Sequence, residues 1–99
     1  HPERDQIELP AVLHALSDPQ RLEIVRRLAD STEPCACGSI ELGVSKSTKT
    51  HHFRVLREAG VIRQKREGTS KLTELRREDL DARFPGLLDA VLSSDAVPA

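Results

Sequence analysis

The stretch GVSKSTKTHHFRVLREAGVIRQKREGTSKLTEL, residues 43–75, divides into a turn, a helix and a hairpin. Gly43-Val44-Ser45 has the small and polar residues of a tight turn. Residues 47–59 repeat apolar side chains at helical spacing, and Gly60 stands where a helix C-cap belongs. Placed on a wheel, Ser47, Thr50, His51 and Arg54 fall in one narrow sector. Phe53 and Leu56 fall opposite, with Val55 near the edge, so this helix has a packed face and a polar face. Residues 61–66 and 71–75 are strand-like runs joined by Glu67-Gly68-Thr69-Ser70, a hairpin signal.

Upstream, Leu9, Val12, Leu13 and Leu16 predict a short first helix. Asp18 suits the cap of a second helix, and Pro19 suits its first turn, where no amide donor is needed. Leu22, Val25 and Leu28 form its apolar stripe with Ile24 beside it, while Arg21, Glu23, Arg26 and Arg27 are expected to face water. That helix should end near Asp30. Residues 35–42 are short and ambiguous, anchored by Ile40 and Leu42 and weakened as a helix by Gly38. Downstream, Asp79 and Leu80 open a final helical part that Pro85 interrupts, and Phe84, Leu87, Leu88, Val91 and Leu92 make its stripe. The expected organisation is an arm at 1–8, one domain at 9–93 and a flexible tail at 94–99.

The chain has 99 residues and 11.0 kDa, enough for one small domain. It is 37% hydrophobic, 31% charged and 2% aromatic, so its core is thin and aliphatic. A chain this short buries only about 60–65% of its unfolded surface, and a partner subunit would help it. No apolar run reaches the ~18–20 residues that span a bilayer, so no membrane partner is expected. No basic-then-apolar leader is visible, and with no Met the start at His1 is expected to be a processed or tag-derived end. Two cysteines do not make a disulfide framework, which favours a reducing, cytoplasmic setting.

Net charge is −1, but its distribution is uneven. Residues 45–71 hold eight bases (Lys46, Lys49, Arg54, Arg57, Arg63, Lys65, Arg66, Lys71) against two acids, Glu58 and Glu67. The rest of the chain holds seven bases against fourteen acids. An acidic body with one basic segment points to a polyanion partner for that segment, although charge alone is also met by a solvated face. Two helices meeting across residues 43–45, followed by a basic hairpin, make a winged helix-turn-helix layout, mostly α with a small β-hairpin. In that layout the second helix enters a major groove of double-stranded DNA and the hairpin reaches the backbone.

LSDPQRLEIVRRL at 16–28, followed by the stretch from Val44 to Leu75, resembles the ArsR-type (ArsR/SmtB) winged helix-turn-helix regulators. The S-x-S-T-x-[ST]-x-H-[LF]-x-x-L-R-x-[AS]-G-[LVI] run beginning at Ser45 is the specific part. The resemblance implies a cytoplasmic homodimeric repressor, released from a palindromic operator by a signal. It implies recognition-helix contacts at Lys46, Ser47, Thr50, His51 and Arg54, and wing contacts at Arg66, Thr69 and Lys71. Lys49 departs from the pattern, which has an apolar residue there; the wheel puts it on the core side, with its stem snorkelling out or adding a phosphate contact. His52 reads as a wedged structural residue rather than a reader of bases.

Leu9, Val12 and Leu13, with Leu87, Leu88, Val91 and Leu92, are many apolar side chains for so small a core. They either pack within the chain or, as the resemblance implies, make a two-fold dimer from the terminal helices. Cys35-Ala36-Cys37 is the one candidate chemical site. Two thiolates at this spacing suit a thiophilic metal or metalloid, and metal-sensing members of the resembled family carry such a pair. The set is incomplete: the pair sits about one residue out of register, no third Cys exists, and the last helix has no His. Otherwise Cys37 is a small buried hydrophobe and Cys35 a loop residue. No enzyme motif is present. The rival to DNA binding is a winged-helix protein-interaction module, which would need an apolar outer face on residues 47–59.

Overall fold

The computed structural model describes residues 1–31, 33–36 and 40–96. A 3₁₀ turn at Arg4–Gln6 leads to α1 (Leu9–Ala15) and α2 (Pro19–Asp30). Then follow β1 (Cys35–Ala36), α3 (Lys46–Ala59), β2 (Ile62–Glu67), β3 (Ser70–Leu75), α4 (Arg77–Arg83) and α5 (Leu87–Ala96). The strands form one antiparallel sheet in the order β1-β3-β2. This is a winged helix-turn-helix architecture, with β2 and β3 as the wing.

Local chemistry explains the element ends. The Asp18 carboxylate accepts the backbone N–H groups of Gln20 at 2.8 Å and Arg21 at 3.1 Å, capping α2. The Ser45 hydroxyl accepts from Thr48 N at 3.2 Å and starts α3. Gly60 closes α3 with φ +89°, a conformation that side chains resist. Along the wing the ladder runs from Ile62↔Leu75 to Glu67↔Ser70, so the loop shrinks to Gly68-Thr69. Gly68 supplies the positive φ (63°) that a two-residue hairpin loop with glycine first requires.

The core gathers Ile24, Val25 and Leu28 of α2, Phe53 and Leu56 of α3, Ile62 of β2, Leu80 of α4 and Leu88 of α5. Each large side chain buried this way contributes roughly 1.5–3 kcal/mol. Phe53 and Leu56 therefore hold α3 rigidly by its inner face, with the outer face left in water.

Three expectations change. Arg21 does not face water: it is 7% exposed, and its guanidinium donates to Ala15 O at 2.7 Å and His14 O at 3.2 Å. It thus supplies a donor to the Ala15 carbonyl at the end of α1 and adds one to His14 O, which also accepts from Ser17. The arm at 1–8 is packed rather than free, because Ile7 is buried against Gly60 and Arg83 donates to Ile7 O. Residues 40–42 carry no regular structure, and Cys35, expected in a loop, pairs together with Ala36 onto β3 at Thr73 and Leu72. Residues 37–39, with Cys37 and Gly38, lie outside the described residues.

Candidate nucleic-acid interface

α3 presents Lys46, Ser47, Thr50, His51 and Arg54 as exposed side chains, while Phe53 and Leu56 on its other side are buried. The Ser45 hydroxyl also bonds the Thr48 hydroxyl at 2.9 Å, so Thr48 belongs to the cap. No acid lies in the first turn of α3, where Lys46 and Lys49 sit near the positive end of the helix dipole. Cations there are mildly unfavourable until an anion arrives.

The wing completes the surface. Arg66 and Lys71 are directly paired across β2 and β3, so their side chains lie on the same face. Like charges set opposite each other cost stability. Gln64 and Thr73 form the next same-face pair, and Gln64 Nε2 donates to Thr73 Oγ1 at 3.3 Å. A groove of about 550 Å³ runs between α3 and this face. Its walls are Lys46, Lys49, Thr50, Phe53, Arg54 and Arg57 of α3, with Gln64, Thr69 and Lys71 of the wing, and no Asp or Glu lines it.

The ion pairs of the described residues lie away from this surface, although Arg21 and Arg83, which donate to backbone carbonyls, also make none. Arg4, Arg26, Arg27, Arg63, Arg76 and Arg77 all make ion pairs with carboxylates. Lys46, Lys49, Arg54, Arg66 and Lys71 have none among the described residues. Lys65, on the other face of the wing, is also without one.

His52 is structural: 7% exposed, its Nδ1 lies 3.3 Å from Arg21 Nη1 and its Nε2 lies 3.9 Å from Asp18 Oδ2. Burial of the Asp18 carboxyl opposes its ionisation. The backbone N–H bonds from Arg21 and Gln20, with the nearby charge of Arg21, outweigh that, so it sits below the usual carboxylate value. Lys49, Arg57 and Gln64 are the groove residues that sequence patterning did not select. Arg57 and Gln64 come together only through the packing of α3 on β2 and could not be paired by spacing along the chain.

The other expected sites divide. Leu9 and Leu13 are 40% and 48% exposed, Leu87, Val91 and Leu92 are half-buried against the core, and Val12 and Leu88 are fully buried within the chain. Cys35 is half-buried, with its thiol 3.8 Å from Glu33 O, and Cys37 is outside the described residues. Among the described residues no three His, Cys, Asp or Glu side chains gather as a metal site. No helix among them is long and apolar enough to cross a membrane.

Comparison with known proteins agrees with this geometry. Residues 16–65 match the helix-turn-helix domain family. The chain is 34% identical to the uncharacterized HTH-type transcriptional regulator YceK of Bacillus subtilis, over 88% of each chain. It is 36% identical to an arsenical resistance operon repressor of Staphylococcus xylosus, over 75% of this chain and 71% of that one. Among solved structures, the homodimeric winged helix-turn-helix DNA-binding domain Mb0332 of Mycobacterium bovis, a possible ArsR-family regulator, is 27% identical. It superposes with a TM-score of 0.69, covering 88% of this chain and 80% of that one. The repressor BigR of Xylella fastidiosa shares the fold, with a TM-score of 0.69 at 24% identity, over 91% of this chain and 88% of that one.

The chain is therefore a transcriptional regulator with a helix-turn-helix DNA-binding fold. Within that class it belongs to the ArsR family of winged helix-turn-helix regulators.

Proposed function

We propose that the chain is a cytoplasmic homodimeric repressor that occupies a palindromic operator and blocks transcription sterically. The observation that carries the reading is the set of six cations, Lys46, Lys49, Arg54, Arg57, Arg66 and Lys71, on α3 and the inner wing face that have no carboxylate partner among the described residues. Each protomer places α3 in a major groove. Thr50, His51 and Arg54 then reach base edges, while Lys46 and Ser47 meet phosphate near the helix start. Arg66, Thr69 and Lys71 hold the flanking backbone. The outer face of α3 is polar, which supports DNA over a protein partner.

The dimer uses the exposed Leu9 and Leu13 of α1 together with Leu87, Val91 and Leu92 of α5, with Val12 and Leu88 packed beneath. Sedimentation at micromolar concentration tests it: twice 11.0 kDa is expected, and a monomer would remove the two-headed mechanism. Anisotropy of a labelled duplex tests DNA binding itself. Affinity should fall steeply with salt, and salt-independent or undetectable binding would overturn the reading.

If a thiophilic metal or metalloid is the release signal, Cys35 and Cys37 are its entry point on this chain. They supply two thiolates at most, fewer than the three or four donors such sites take, so further donors must come from elsewhere. Addition of such a metal should weaken DNA binding, and Cys35→Ser with Cys37→Ser should abolish the effect. Unchanged binding at saturating metal under reducing conditions would exclude this signal.

A further inference from the structure

The groove between α3 and the wing contains two cations to which base reading gives no task, Lys49 and Arg57. Lys49 is half-buried and has no carboxylate partner among the described residues. Its stem is partly covered and its ammonium faces the groove without a counter-ion among the described residues. Arg57 is half-buried too, and its Nη1 donates to Gln64 Oε1 at 3.1 Å. Gln64 is braced in turn on Thr73, which is fully buried in β3. The guanidinium is thus held in place through three elements, and a guanidinium has five donors, of which this bond uses one. Lys71 faces the two cations from the wing side of the same groove.

We propose that Lys49, Arg57 and Lys71 clamp one DNA-backbone phosphate between α3 and the wing. The inference rests on the DNA-binding reading and adds to it how the polyanion is gripped. Base selection belongs to the outer face of α3. The clamp sets how deeply that helix sits and where the wing meets the backbone, without regard to sequence.

The test uses the full chain and a fluorescent 30-bp duplex of random sequence, titrated at about 50 to 200 mM salt. The wild-type chain is compared with Lys49→Leu/Arg57→Gln and with Lys65→Ala, which removes an unpaired cation from the other wing face. Loss of one phosphate contact per protomer, two per bound dimer, should make the double variant's slope of log affinity against log salt about 1.8 less steep. Its affinity loss across that salt range should then be about 12-fold smaller than the wild type's. Lys65→Ala should keep the wild-type slope. Lys49→Glu, which places a carboxylate at the clamp, should weaken binding most at low salt. A double-variant slope equal to the wild type's would overturn the clamp, as would equal flattening by Lys65→Ala. A wild-type chain that does not bind the duplex at all would overturn the DNA-binding reading instead.

Discussion

Arg21 of α2 lies 3.3 Å from Nδ1 of His52 on α3, and both side chains are buried. Arginine only donates, so in this contact the guanidinium is the donor and the ring the acceptor. One guanidinium therefore ties the end of α1 to the inner face of the reading helix. Arg21→Met should remove the side-chain donor to the Ala15 carbonyl and to Nδ1 of the His52 ring, while the His14 carbonyl keeps its bonds from Ser17. The expected loss is about 2–3 kcal/mol. At fixed protomer concentration that is a drop in Tm of roughly 10–20 °C. Adding His52→Leu should cost much less than it does alone, because the two side chains act together. Additive effects, or an Arg21→Met variant as stable as wild type, would contradict the link.

Asp79 ties the base of the wing to the N-terminal segment. Its carboxylate accepts from Arg4 Nε at 2.7 Å and Arg76 Nε at 2.9 Å. The Arg4 hydrogen bond holds the carboxyl below the usual range against the opposing effect of burial, with help from Arg76 and both charges. A depressed folded-state value gives stability that is present above the unfolded value near ~3.9 and lost as pH falls through the folded value. Asp79→Asn should cost about 2–3 kcal/mol at pH 7, measured by urea unfolding. The gap between variant and wild type should stay level down to about pH 5 and narrow below about pH 4. A gap that widens with acid would contradict the sign.

Gly60 serves both as the α3 cap and as the seat of the N-terminal segment. A Cβ there would lie 2.6 Å from Ile7 Cγ1 and 2.9 Å from Ile7 Cδ1, on a backbone with φ +89°. Gly60→Ala should destabilise by about 1–3 kcal/mol. Gly43→Ala is the contrast, since nothing lies within 4 Å of the added Cβ although φ is +70°. Equal costs at the two sites would show that the packing of Ile7 matters little.

The surface should divide into specificity and affinity. Arg54→Ala and His51→Ala should relax base preference within a half-site, each by about 1–3 kcal/mol of discrimination. Lys71→Ala should weaken binding to every sequence alike and flatten the salt slope by about 1 per protomer, about 2 for the bound dimer. A changed sequence preference in Lys71→Ala would mean that the wing reads bases.

Much of this architecture is legible along the chain because its signals are local. Asp18 before Pro19, Ser45 before α3 and Gly60 after it each bond or bend within a few residues, so their patterns predict the helix ends. The polar face of α3 is legible for the same reason. Arg21 is misread because its partners are carbonyls of another helix and a ring on a third. Ile7 is missed because the surface that buries it, at Gly60, is far along the chain. β1 is two residues long and exists only through pairing with β3, so no periodicity announces it. The groove is half legible: Thr69 and Lys71 stand out by charge and turn chemistry, whereas Arg57 and Gln64 meet only when β2 packs on α3.

Selection of bound duplexes from a random DNA pool, with reduced and metal-free protein at moderate salt, tests most directly whether the chain is a dimeric operator-binding regulator. Enrichment of a palindrome with half-sites about one helical turn apart is expected, and it should be lost in a Leu13→Glu variant that sediments as a monomer. A folded dimer that enriches no sequence from the pool would contradict sequence-specific repression.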